Sequence, residues 1–493
     1  MDAIVLDGAT LTPAAVARIA RTGSPVELGA DARSRNEAAR RAVDAILARG
    51  DELYGASTGV GPLRTYRVEE ADRAEHQIGL LRSHACGAGR ELDDGLVRAA
   101  MATRANQLGA GGAGVSGELL EALVAALNAG IVPVTRELGS LGTGDLTALA
   151  DIALALLGEG TVRYGGTTIA AGAALHAAGV TPARLGPRDD LAFMSGNAVT
   201  IAHAALLVAD AGALLDMWLT VAALSFEAAG ADPVVLDARV HAGRHLPGQV
   251  AVAARMCELL AGVDGRTREP ATTLVQDPYP FRALPQVDGV VHESLTALDQ
   301  VVTHELNFAG ENALIVAADE VALANGNPHA AVLANAIDGL RTAVAQSAAL
   351  IAARVSALLD TSLTGLPAFL ALDPGPDSGA LILEYTAHAA AAEVRSLVTP
   401  VAAQTVSVAR GVESHASLAP IAARRAHEAL DALRVLVAVE LVAAVRALRL
   451  AGHEPIGAGS RGLYDRAAAK LPADMNDRPL HPDIEMARAL IGH

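Results

Sequence analysis

Aromatic residues make up only 2% of the 493-residue chain, so its core must be filled by Ala, Leu, Val and Ile rather than by large rings. Small alanine side chains let helix axes approach closely, which suits helix-on-helix packing. Lysine is nearly missing. Lys470 is the single one, and almost all the positive charge is arginine. A lysine Schiff base of the pyridoxal-phosphate kind would have to use that one residue near the end of the chain, which disfavours such chemistry. The two cysteines, Cys86 and Cys257, are too few for a disulfide scaffold or a four-thiolate zinc site. They read as buried small hydrophobes in a reducing compartment. Positive charge is also outnumbered, and the formal net charge of −17 argues against a nucleic-acid partner and against docking on an anionic membrane. The opening residues Met1 to Asp7 have no basic stretch and no long apolar run, so no signal peptide is predicted and the chain reads as cytoplasmic.

What the chain has is apolar content, 52%, with 19% charged residues, enough for a large core. Apolar positions recur at helical spacing over 37–49, 96–108, 117–129, 146–157, 197–229, 287–307, 330–359 and 420–451. Short strands are predicted at 3–6, 161–164 and 167–169. The fold class is therefore mainly α with minor strands. No Pro-, Gly- or Ser-rich linker stands out, so an N-terminal helical part, 1–190, and a long-helix bundle with C-terminal helices, 191–493, are expected to pack as one body. The apolar stretches 201–230 and 433–450 carry charges such as Asp216 and Glu440, and read as buried helices rather than membrane spans. Gly109 to Gly114 match G-x-G-x-x-G by letter. They follow a helix instead of a strand, so a helix-breaking turn is expected. His292-Glu293 and His304-Glu305 lack the second histidine of a zincin pattern, and no metal is expected.

Four separated motifs carry the chemical information. The first is Tyr54-Gly55-Ala56-Ser57-Thr58-Gly59-Val60-Gly61, with Ser83-His84 after it. The second is Gly139-Ser140-Leu141-Gly142-Thr143-Gly144-Asp145-Leu146. The third runs from Gln276-Asp277-Pro278-Tyr279 through Arg282 to Pro285-Gln286-Val287. The fourth is Val412-Glu413-Ser414-His415-Ala416-Ser417. In this order the motifs resemble the aromatic amino acid ammonia-lyase and aminomutase family, with histidine ammonia-lyase as the most similar branch. Gly365-Leu366-Pro367 and Gly248-Gln249 add to the resemblance, which runs from about residue 35 to about residue 450.

The resemblance implies a long-helix bundle of the histidine ammonia-lyase, fumarase/aspartase-like type, and a homotetramer whose active sites draw residues from three subunits. It also implies removal of ammonia from an α-amino acid, helped by an electrophile. That electrophile is methylidene-imidazolone (MIO), formed when an Ala-Ser-Gly tripeptide cyclises and dehydrates at the positive ends of several helices. By the same resemblance Tyr54 and Tyr279 are the catalytic tyrosines, His84 and Glu413 serve proton transfer and substrate choice, and Arg282 clamps the substrate carboxylate. Gln276 and Asn312 are placed with substrate binding. Ser195 stands where the family has asparagine, Pro328 where it has an aromatic residue, and Val412 where it has glutamine.

At the MIO position Gly142-Thr143-Gly144 replaces Ala-Ser-Gly in a loop one residue shorter. The leading expectation is that no electrophile forms and no cofactor is used, with Asp145 capping the next helix. On that view an acid–base site acts on a small carboxylate- or anion-bearing substrate by elimination, conjugate addition or cyclisation, in specialised biosynthesis. Two alternatives stand beside it. In one, Gly142-Thr143-Gly144 forms an MIO-like group, the threonine adding a methyl. In the other, the chain is a non-catalytic partner of an active lyase.

Overall fold

Every long helical segment expected from apolar spacing is a helix in the computed structural model, which describes residues 3–267 and 275–492. The chief ones are Ala30–Ala48, Asp94–Gly109, Gly117–Asn128, Leu146–Leu156, Ala198–Ala229, Leu284–Leu306, Ala331–Leu359 and Ala419–Ala451. Strands are short. Ile4–Leu6 pairs in parallel with Val26–Leu28, and Thr161–Tyr164 pairs antiparallel with Thr167–Ala170. The latter hairpin turns on Gly165-Gly166, both at positive φ (57° and 79°), the backbone a tight two-residue hairpin requires. The small pairings Ala88–Glu91 with Arg136–Leu138 and Leu314–Val316 with Val321–Leu323 were not legible, because each strand is too short to show an alternating pattern.

The described chain divides into two compact units. One comprises Met1–Ala209, Leu298–Ile337 and Pro400–Arg424; the other comprises Asp210–Ala297, Asp338–Thr399 and Arg425–His493. In the first, Asp94–Gly109 is buried around almost its whole circumference, from Leu96 to Leu108. Arg104, Asn106 and Gln107 on it find partners within the unit, whereas Thr103 Oγ1 is buried without one. Arg104 forms a bidentate pair with Glu311 (3.2 and 3.1 Å), and its Nε donates to the Phe193 carbonyl (2.9 Å). Gly109 to Gly114 form the turn that ends this helix, as expected.

In the second unit three aromatics lie in the core. Trp218 is buried, and Phe226 meets Phe281 edge-on at 5.2 Å. Gly248 and Gly289 bring two helix backbones together: a Cβ on Gly248 would lie 2.3 Å from the Gly289 carbonyl oxygen. Arg354 and Glu440, both fully buried, pair at 2.7 Å, and Ser225 donates to the same carboxylate. The cysteines depart from expectation, since both are exposed. Cys257 lies one position off the stripe Val252, Ala253, Met256, Leu259 that its helix buries.

Among the described residues two helices are long and apolar enough to cross a membrane by length and composition, within Asp189–Ala229 and Ala331–Leu359. In each, 61% of the apolar window is buried inside the protein, which is what core helices of this composition do.

Candidate active site

Four helices begin at the loop of residues 139–146. Leu146–Leu156 follows it directly. Thr200, in the first turn of Ala198–Ala229, donates its amide (2.7 Å) and hydroxyl (2.8 Å) to the Asp145 carboxylate. The Ala330 amide, one residue before Ala331–Leu359, donates to the Gly142 carbonyl (3.0 Å). The Leu418 amide, one residue before Ala419–Ala451, donates to the Leu141 carbonyl (2.9 Å). Each helix start carries partial positive charge, so four of them on one loop favour a group that takes up electrons.

The loop is pinned at both ends. Ser140 Oγ donates to Asp145 Oδ1 (2.7 Å) and to the Gly144 carbonyl (3.2 Å), and the Asp145 amide donates to the Gly196 carbonyl (2.8 Å). Asp145 does not cap its own helix with its side chain. Its carboxylate turns to Thr200 instead and caps Ala198–Ala229. Burial pushes this carboxyl above the usual range, against the opposing pull of the Ser140 and Thr200 hydrogen bonds.

At the centre, Thr143 Oγ1 donates to Glu413 Oε2 (2.9 Å), joining two residues that the motifs singled out separately. Ser417 Oγ donates to the Gly142 carbonyl (2.9 Å). Gly142 has φ +86°, and a Cβ there would sit 2.0 Å from Ser417 Oγ, so only glycine fits. Beside it, His329 Nε2 and His415 Nδ1 lie 2.9 Å apart, and Asn197 Nδ2 donates to the Pro328 carbonyl (2.5 Å).

The other expected residues have different partners. Tyr54 Oη accepts the Gly61 amide (2.8 Å), which leaves its own proton free to donate. His84 Nδ1 lies 2.8 Å from the Leu80 carbonyl. A carbonyl only accepts, so Nδ1 carries the proton in that bond and neutral His84 presents Nε2 as an acceptor. Ser195 is buried at the end of the Asp189–Met194 helix, its amide bonded to the Leu191 carbonyl. Asn312 Oδ1 accepts the Asn325 amide (3.2 Å). In the second unit, Tyr279–Arg282 is a single helical turn, and the Arg282 guanidinium lies 4.3 Å from the Tyr279 ring centre. Arg282 Nη1 donates to Gln276 Oε1 (2.9 Å), so these three residues form one cluster. An open depression of about 520 Å³ lies alongside, lined by Pro278, Pro280, Ser356, Asp360 and Phe369.

The residues that sequence reasoning missed are Ser417, Ala330, His329 as a partner of His415, and the Arg104–Glu311 pair. Ser417 and His415 lay inside a quoted motif. A backbone amide such as that of Ala330 leaves no mark in a sequence.

A helical bundle whose helix starts gather on one Gly-Thr-Gly loop, with a Tyr–Arg–Gln cluster besides, has the parts of a carbon–nitrogen lyase. The chain belongs to the aromatic amino acid lyase family, which it matches over residues 11–469, and it is a lyase enzyme. It is 36% identical over 488 residues to histidine ammonia-lyase from Geobacillus thermodenitrificans, covering 99% of this chain and 96% of that one. It is likewise 36% identical over 501 residues to histidine ammonia-lyase from Streptomyces coelicolor, covering 100% and 98%. Among solved structures it resembles ergothionase from Treponema denticola (TM-score 0.95, 29% identity, covering 99% and 98%). It also resembles phenylalanine aminomutase from Pantoea agglomerans (TM-score 0.94, 29% identity, covering 99% of each).

These findings correct the expectation that the enzyme uses no cofactor. Its family is the MIO-dependent one, and relatives named histidine ammonia-lyase match it end to end. The residues of the loop also fit such a group. Gly142-Thr143-Gly144 keeps a hydroxyl residue followed by glycine, at the meeting point of four helix starts. The missing alanine has a steric cause, since Ser417 Oγ occupies the space of a Cβ on residue 142.

Proposed function

We propose that this enzyme removes ammonia from an imidazole-bearing α-amino acid, histidine or a close derivative, leaving an α,β-unsaturated acid. The carrying observation is the Thr143–Glu413 hydrogen bond, which sets a carboxylate on the one hydroxyl of the Gly142-Thr143-Gly144 tripeptide. When formed from residues 142–144, the prosthetic group supplies an electrophile. The rest falls to side chains. Arg282 clamps the substrate carboxylate with Gln276 beside it. His84 accepts a hydrogen bond from the imidazole N–H at Nε2. Tyr54 and Tyr279 move protons at the substrate, Glu413 holds the amine, and Ser195 and Asn312 complete the walls. Tyr279 is 64% exposed in the single chain and Val275 almost fully so, which supports a homotetramer in which other copies cover them.

The test is assay of purified protein with histidine and imidazole-modified histidines, following ammonia and the ultraviolet absorbance of the unsaturated product. Release of neither from any of them sinks the reading. A second reading, addition to an unsaturated acid in a biosynthetic step, is favoured by the altered wall residues Ser195, Pro328 and Val412. Incubating unsaturated acids with ammonia tests it: net formation of an amino acid faster than the forward elimination supports it.

A further inference from the structure

The Gly142 carbonyl receives two hydrogen bonds, from Ser417 Oγ at 2.9 Å and from the Ala330 amide at 3.0 Å. Both donors are themselves fixed. Ser417 is 3% exposed, and its oxygen accepts the Ala419 amide (3.3 Å), which directs its proton elsewhere. The residue before Ala330 is His329, and two residues before Ser417 is His415. The imidazole contact between them ties the two donor segments together. Two fixed donors on one carbonyl oxygen form the arrangement that stabilises negative charge when the carbonyl carbon is attacked.

We propose that Ser417, with the Ala330 amide, activates the Gly142 carbonyl for backbone cyclisation of residues 142–144. The inference rests on the functional reading above. The Gly144 nitrogen bonds to the Gly142 carbonyl carbon, and the charge that builds on oxygen is held by Ser417 and Ala330. That oxygen leaves as water with the amide hydrogens of Thr143 and Gly144, and a C=N bond forms to the Thr143 nitrogen. A second water is made from the Thr143 hydroxyl and its Cα hydrogen, leaving a Cα=Cβ bond. No oxidant or reductant is needed. The same geometry accounts for glycine at 142: the hydroxyl that activates the carbonyl fills the place of a side chain there.

The test is intact mass, with peptide mapping of residues 136–163, on freshly made full-length protein followed over time. Wild type is expected to lose the mass of two waters, and Ser417→Ala to lose it about 100-fold more slowly, the scale of removing one oxyanion donor. Ser417→Thr keeps a hydroxyl and is expected to recover most of the rate, which separates activation from misfolding. If wild type and Ser417→Ala mature equally fast, Ser417 has no such role although the functional reading stands. If wild type keeps its full mass, the functional reading and this inference fall together.

Discussion

Thr143 Oγ1 and Glu413 Oε2, 270 residues apart in the chain, lie 2.9 Å from each other. The bond aims the hydroxyl that must be lost on maturation at the carboxylate assigned to the substrate amine. Thr143→Ala has no hydroxyl to give up, so it is expected to lose at most one water instead of two, and at least about 10³-fold in kcat, since no alkene can form. Thr143→Ser removes the extra methyl from the electrophilic carbon. It should mature and exceed wild type in kcat by about tenfold, a difference of roughly 1.4 kcal/mol in barrier. Intact mass and steady-state kinetics on one preparation check both.

Arg282 lies over Tyr279 and donates to Gln276, so its guanidinium plane is set before substrate arrives. Arg282→Lys keeps the charge but loses the fork. KM is expected to rise roughly 10- to 100-fold, with a smaller change in kcat, as befits loss of a bidentate carboxylate contact. A kcat loss with unchanged KM would remove Arg282 from carboxylate binding.

Asp190 is fully buried, and neither carboxyl oxygen has a hydrogen-bond partner. Burial pushes its pKa up to about 7. The folded chain thus holds a proton that the unfolded chain has released, so stability from this group is present below about pH 4 and is lost as pH rises through about 7. Asp190→Asn removes the penalty. It is expected to raise stability at pH 8 by on the order of 4 kcal/mol, with little change at pH 4. Denaturant midpoints at the two pH values decide it; equal shifts at both would rule out the titration.

Arg104 and Glu311 are paired at 3.1 Å with almost no exposure, and Arg104 also holds the carbonyls of Ala192 and Phe193 just before Ser195. Arg104→Ala leaves Glu311 buried without a counter-charge and is expected to cost about 3–5 kcal/mol. Arg104→Met with Glu311→Leu should recover most of that. If the double variant is no better than the single one, the loss comes from the freed carbonyls rather than the stranded charge.

The helices were legible because apolar spacing is a local property, and alanine and leucine repeats over 197–229 or 420–451 admit no other regular structure. The motifs around Tyr54, Glu413 and Tyr279–Arg282 were legible as groups of chemical types. The one-turn spacing of Tyr279 and Arg282 was readable too, since residues three apart share a helix face. The Gly-Thr-Gly loop was visible but misjudged. Losing serine and one residue looked like losing the cofactor, because letters count residues and do not show what surrounds them.

The sequence by itself determined a mainly helical lyase scaffold and marked out Tyr54, Tyr279, His84, Glu413 and Arg282 as the candidates for its chemistry, since periodicity and residue type are written along the chain. Only the tertiary structure decided that Asp145 caps a different helix from its own, that Ser417 and Ala330 share the Gly142 carbonyl, and that Thr143 meets Glu413. Each joins segments 50 or more residues apart through hydrogen bonds of about 3 Å, a scale on which separation along the chain carries no information.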